Sequence, residues 1–90
     1  MTVERKVVIV NANGLHARPA AEIVKVATKF KSDITMTRDD LEVNAKSIMG
    51  VMMLAAECGA ELLVRATGPD EEAAVEALAA LIARKFGEKT

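Results

Sequence analysis

The sequence predicts an α+β fold in which four strands and three helices follow one another as β-α-β-β-α-β-α, with the helices covering one face of a sheet. Three observations lead there. Four short stretches are rich in β-branched or alternating apolar residues, as half-buried strands are, and three others carry apolar residues at helical spacing. The core must be aliphatic, because 51% of the residues are apolar while Phe30 and Phe86 are the only aromatic ones. Ninety residues suffice for one small domain, which buries only about 60% of its unfolded surface. Covering one face of a sheet with all the helical stripes is the economical way to share so thin a core. Residues 1–90 are therefore expected to form a single domain, and no internal repeat, linker or low-complexity segment interrupts them.

Val3 to Val10 opens the chain as a strand with Val7 and Ile9 toward the core. Asn11-Ala12-Asn13-Gly14 is a turn signal. Ala17 to Lys29 reads as a helix: Ala20, Ile23, Val24 and Ala27 share a stripe that Phe30 closes. Pro19 falls in its first turn, where the missing N–H costs nothing. Asp33 to Thr37 and Leu41 to Val43 flank Arg38-Asp39-Asp40 as a hairpin, with Ile34 and Met36 on one face. Ser47 precedes a short helix, Ile48 to Ala55, as its N-cap. Gly59 suits a loop, and Glu61 to Thr67 alternates again with Leu62, Val64 and Ala66 on one side. Gly68-Pro69-Asp70-Glu71-Glu72 starts the last helix, since proline and acidic residues belong in a first turn. That helix runs to about Lys85 with Ala74, Val75, Leu78, Leu81 and Ile82 buried, and Arg84 and Lys85 suit its C-terminal end.

Charge and composition exclude several functions. The net charge is −1 and the chain has no Trp or Tyr, so it lacks the basic face or stacking aromatics of a nucleic-acid binder. Cys58 is the only cysteine, which leaves no internal disulfide and no zinc set. The N-terminal residues lack the apolar core of a signal peptide, and no segment approaches the roughly 20 apolar residues of a membrane span. A cytoplasmic protein without membrane insertion or cofactor is expected.

The chemistry sits in Asn13-Gly14-Leu15-His16-Ala17-Arg18-Pro19-Ala20. A strand ends, a glycine turns the chain, and the only histidine stands where a helix begins. A helix N-terminus has unpaired N–H groups and a partial positive charge, which suits phosphate. Arg18 adds a permanent charge with planar donors. A neutral imidazole can attack phosphorus, and histidine ordinarily titrates near pH 6.5, so the neutral ring is accessible at pH 7. A lone histidine near a turn is nonetheless more often a surface residue or a cap, and an arginine there is more often solvated. Spacing alone leaves those readings open.

The string Gly14-Leu15-His16-Ala17-Arg18-Pro19-Ala20 resembles the active-site segment of the HPr family, the histidine phosphocarriers of the bacterial phosphoenolpyruvate:sugar phosphotransferase system. Asn44-Ala45-Lys46-Ser47-Ile48-Met49-Gly50-Val51-Met52 looks like the segment around that family's regulatory serine. Length and element order fit as well, so the resemblance covers nearly the whole chain. It implies an open-faced β-sandwich whose antiparallel sheet has the order 1-4-2-3 under three helices. It implies that enzyme I phosphorylates His16 on Nδ1, that Arg18 assists, and that the group passes on to enzyme IIA proteins or domains. Ser47 matches the serine modified by a kinase/phosphorylase in many Gram-positive and some other bacteria, and a transcriptional regulator is a further implied partner. One departure is visible: many Gram-positive members have Thr after the Pro-Ala pair, where this chain has Ala21.

Ile48, Met49, Val51, Met52, Met53 and Leu54 are more apolar residues than one short helix buries on one side. Ile48, Met49 and Met52 are candidates for an exposed patch beside His16, with Lys25, Lys29 and Lys46 as a basic rim. Methionine adapts to several partner surfaces. The bland alternatives are core packing for the patch and plain solvation for the lysines. A paralogous nitrogen-related or regulatory carrier would share the chemistry and differ in partners. A purely regulatory module lacking the histidine is disfavoured by His16. A free-standing enzyme has no support, since no acid/base pair, metal cluster or nucleotide-binding glycine loop is present in the sequence. The expected working form is a monomer.

Overall fold

A computed structural model of the protein describes residues 2–90. The elements are β1 (Thr2–Val8), α1 (Ala17–Ala27), β2 (Asp33–Arg38), β3 (Leu41–Asn44), α2 (Ile48–Met53), β4 (Glu61–Thr67) and α3 (Glu71–Ala83), followed by a 3₁₀ turn at Lys85–Gly87. The sheet order is β1-β4-β2-β3, and every neighbouring pair is antiparallel. The order and the open-faced arrangement match the expectation.

Side-chain alternation explains how the sheet is lined. Val7 lies opposite Leu62, Val64 opposite Met36, and Met36 opposite Val43, which sets all five in one buried band across the four strands. The buried helical stripes meet this band: Ala20, Ile23 and Ala27 from α1, and Ala74, Val75, Leu78, Leu81 and Ile82 from α3. Val24 and Phe30 are only partly buried and pack on the rim of that core. On the other face Arg65 of β4 bridges Glu4 of β1 and Glu42 of β3, a solvated ladder of small energetic weight.

Three helix ends differ from the sequence reading, each for a local reason. α1 closes at Ala27, with Thr28 as its C-cap. α2 stops at Met53 because Ala55 adopts left-handed backbone (φ +47°). α3 stops at Ala83 with Arg84 as its C-cap, and Lys85 and Phe86 then turn left-handed (φ +61° and +56°). Lys85 is thus not in the last helical turn. The reversal buries Phe86 in the core and carries Gly87 and Glu88 back toward the start of α1.

The start of α3 is bolted to the loop after α1. Asp70 occupies the N-cap position, yet its carboxylate accepts from the Lys31 and Ser32 N–H groups and the Ser32 hydroxyl instead of capping its own helix. Glu71 accepts from the Gly68 N–H at 3.0 Å. Gly68 (φ +151°) must be glycine here, because a Cβ would come within 2.7 Å of Ser32.

These hydrogen bonds, the Ser32 hydroxyl foremost, hold the Asp70 carboxyl below its ordinary 3.8. A depressed folded pKa contributes stability that is fully present above the unfolded value and is lost as pH falls through the folded one. Asp70→Asn should therefore melt below wild type at pH 7. The gap should narrow as pH drops below about 3.8, which thermal melts across pH 2–7, a range of about five units spanning ordinary carboxyl titration, would check.

Candidate active site

His16 is the N-cap of α1, with extended backbone (φ −82°, ψ −174°), and its carbonyl accepts from the Ala20 N–H at 3.0 Å. Its side chain makes no capping bond, so the imidazole is free for other work. The residues before it are held hard. Gly14 has φ +66°, and a Cβ there would lie 2.4 Å from the Ala56 carbonyl oxygen. Leu15 is buried and donates its N–H to the same carbonyl at 2.8 Å. The loop after α2 therefore fixes the approach to His16. The first-turn N–H groups of Ala17 and Arg18 have no carbonyl one turn back inside the helix, and Pro19 has no N–H to satisfy. No acidic residue of α1 neutralises this positive end.

The acid comes instead from the far end of the chain. Glu88 Oε2 lies 2.8 Å from His16 Nε2 and 2.8 Å from Arg18 Nη2. Its Oε1 accepts from Asn11 Nδ2 at 2.9 Å. Asn11 is fully buried and also donates to the Gly14 carbonyl at 2.9 Å. The Arg18 guanidinium is further turned toward the Phe86 carbonyl, at 3.4 and 3.5 Å. The Ala12 N–H donates to an oxygen of Thr90 at 2.6 Å, so the tail crosses the β1–α1 loop. The Asn11 amide, then the Arg18 and His16 contacts, hold the Glu88 carboxyl below its ordinary 4.5 against the opposing effect of desolvation.

The arrangement fixes a tautomer. An ionised carboxylate only accepts, so the nitrogen facing it, Nε2, carries the ring proton. In the neutral ring the lone pair is then on Nδ1. The His16 side chain is 42% exposed and the Arg18 side chain 50% exposed, so a partner can reach both.

Ser47 caps α2 as expected: its hydroxyl accepts from the Gly50 N–H at 3.1 Å. Of the α2 residues Val51 is buried, as is Leu54 just beyond, whereas Ile48, Met49, Met52 and Met53 are 45%, 78%, 43% and 64% exposed. Met53 thus joins the three residues expected on that surface. Lys25 and Lys29 are exposed near the end of α1. Lys46 differs from the basic-rim expectation, because its ammonium donates to the Phe30 carbonyl at 2.8 Å and closes the chain beyond α1.

Sequence reasoning missed Asn11, Phe86 and Glu88 as site residues. An aromatic residue followed by glycine just past a basic helix end hints at a chain reversal. Nothing local says that Glu88 will meet a histidine 72 positions earlier.

Residues 3–84 match the family described as the PTS HPr component phosphorylation site. The chain belongs to the HPr family. The phosphocarrier protein HPr of Treponema pallidum is 52% identical over 87 residues, covering 97% of this chain and 99% of that one. A crystal structure of HPr from Thermoanaerobacter tengcongensis superposes with a TM-score of 0.94 at 49% identity, covering 98% of this chain and 99% of that one. Another structure, described as an HPr dimer from the same organism, matches with a TM-score of 0.78 at 52% identity over 89% of this chain and 92% of that one. As a member of that family the chain is a phosphocarrier of the phosphotransferase system.

Proposed function

We propose that His16 receives a phosphoryl group on Nδ1 from enzyme I of the sugar phosphotransferase system and passes it to enzyme IIA proteins or domains. The observation that carries this reading is the Glu88 carboxylate on Nε2, which leaves the Nδ1 lone pair as the nucleophile at a helix N-terminus. That lone pair forms the N–P bond while the electron pair of the bond to enzyme I leaves with that donor. The first-turn N–H groups and Arg18 face the phosphoryl oxygens, with Arg18 exchanging the Glu88 carboxylate for phosphate. The acceptor in turn supplies the nucleophile that removes the group.

The exposed Ile48, Met49 and Met52 side chains, continued by Met53, form the docking surface for these partners, with Lys25 and Lys29 on the margin. Residues 1–90 act as one carrier domain in the cytoplasm. The charged Glu4, Arg5 and Lys6 on edge strand β1 disfavour pairing with a second copy and support a monomer.

Ser47 is a regulatory phosphorylation site in this reading. Phosphoserine carries about −1.5 to −2 charges at pH 7 and is tolerated at the start of a helix. The added charge would act on docking of enzyme I beside Ile48 and Met49, and leave the fold in place. The kinase/phosphorylase and a transcriptional regulator are the partners of that form.

Two sets of variants test the proposal. Incubation with phosphoenolpyruvate and enzyme I should place acid-labile phosphate on wild type and none on His16→Ala, and Arg18→Ala should be phosphorylated at least about tenfold more slowly, as loss of one charge-assisted contact implies. Wild-type labelling of His16→Ala would refute the site. Ser47→Ala should lose about 1 kcal/mol of stability and remain a good phosphate acceptor. Ser47→Asp keeps a cap and adds charge, so it should fold well and accept phosphate from enzyme I more slowly than wild type at low ionic strength. Equal rates would remove the charge switch and leave the cap.

A further inference from the structure

Asn11 is an expensive residue to bury. It is fully shielded from solvent, and its Oδ1 has no hydrogen-bond partner. An apolar side chain of similar size would fill the space without an unmet acceptor. What such a side chain lacks is the amide donor, and both Nδ2 hydrogens are used: one on the Gly14 carbonyl, one on Glu88 Oε1. Both partners are acceptors, which fixes the amide orientation. The bond to Gly14 is a loop pin of the kind that asparagine makes in many turns. The bond to Glu88 reaches across to a residue 77 positions later and ends on the carboxylate that faces His16.

Glu88 has a divided task. Its Oε2 serves the His16 Nε2–H and the Arg18 guanidinium together. Once Arg18 turns to an incoming phosphoryl group, Glu88 loses one of its anchors, and the negative phosphate repels it. Phe86 buries the turn before it, and the Gly87 and Glu88 N–H groups hold the backbone on the Arg84 and Lys85 carbonyls, but among the described residues no backbone bond fixes the Glu88 carboxylate itself. The remaining anchor on Oε1 is Asn11.

We propose that Asn11 is a positioning residue for phosphoryl transfer, holding Glu88 on the His16 Nε2–H through the step in which Arg18 leaves the carboxylate for the phosphate. This rests on the carrier reading above and specifies how its nucleophile is kept in register. As the Nδ1 lone pair forms the N–P bond, and the electron pair of the breaking bond departs with enzyme I, the ring becomes more positive. The Nε2 proton stays on the ring, hydrogen-bonded to Glu88, which balances that charge as a buried carboxylate does for a catalytic imidazole. Asn11 touches neither the phosphate nor the partner.

Initial rates of phosphorylation by enzyme I, measured against the concentration of this protein, test the assignment in wild type, Asn11→Ala, Glu88→Gln and the double variant. Being buried, Asn11 should affect turnover and not docking. Asn11→Ala should lower the saturated rate by about tenfold, the low end for one charge-assisted hydrogen bond, with half-saturation unchanged. Because Asn11 acts through Glu88, the double variant should be no slower than Glu88→Gln within about twofold, as non-additive contacting residues are. Multiplying losses, a change confined to half-saturation, or an unaffected Asn11→Ala would overturn the proposal. Asn11→Leu, which keeps about the size and has no donor for Glu88, covers the case in which alanine does not fold. If neither variant folds, Asn11 is structural and the assignment is wrong. Failure of wild type itself to take phosphate would instead refute the carrier reading.

Discussion

The β1–α1 loop, the start of α1 and the segment after α3 meet at one carboxylate. Glu88 Oε1 is held by Asn11 from the β1–α1 loop, and Oε2 by His16 and Arg18 from the start of α1. Reaching that point constrains everything around it. α3 must end at Ala83, the chain must reverse through two left-handed residues, and Phe86 must be buried to hold the reversal. The β1–α1 loop must pass close beneath the loop after α2, which Gly14 alone permits.

The energetics of the tail are finely set. Two non-glycine residues in left-handed backbone cost about 1–2 kcal/mol each. Burying one Phe side chain returns about 1.5–3 kcal/mol. The two contributions nearly cancel, so the polar contacts hold the tail in place: Glu88 with Asn11, His16 and Arg18, Arg18 with the Phe86 carbonyl, and the Ala12 N–H with Thr90. Functional elements that must exchange partners are drawn from segments held by few buried contacts. Arg18 sits on that tail and on His16's side of the site at once, which couples the tail's docking to the group that would receive phosphate.

Most of the architecture was legible in the sequence because it depends on local patterns. Alternation in Glu61–Thr67, the stripe Ala20-Ile23-Ala27 and the Gly68-Pro69 stop-and-start are short-range signals, and the elements formed where they point. Helix ends were less legible, since Ala55, Lys85 and Phe86 adopt left-handed backbone that their side chains do not favour and that only tertiary contacts enforce. The placement of His16 and Arg18 at the start of α1, and the Ser47 cap on α2, were legible from a contiguous string and a cap position. Asn11 and Glu88 were not, because each is an ordinary turn or tail residue until the fold sets them side by side. Lys46 reads as a surface charge in sequence and turns inward to a carbonyl that only the packing of α1 exposes.

In the proposed transfer, Glu88 fixes the proton on Nε2 and leaves Nδ1 to take the phosphoryl group. The most direct measurement is nitrogen–phosphorus coupling in protein carrying ¹⁵N-labelled histidine, phosphorylated through enzyme I. Coupling of the phosphorus to Nδ1 of His16, with Nε2 remaining the outer nitrogen that faces Glu88, is the predicted result. Coupling to Nε2, or a phosphate bound to the protein without coupling to His16, would contradict it.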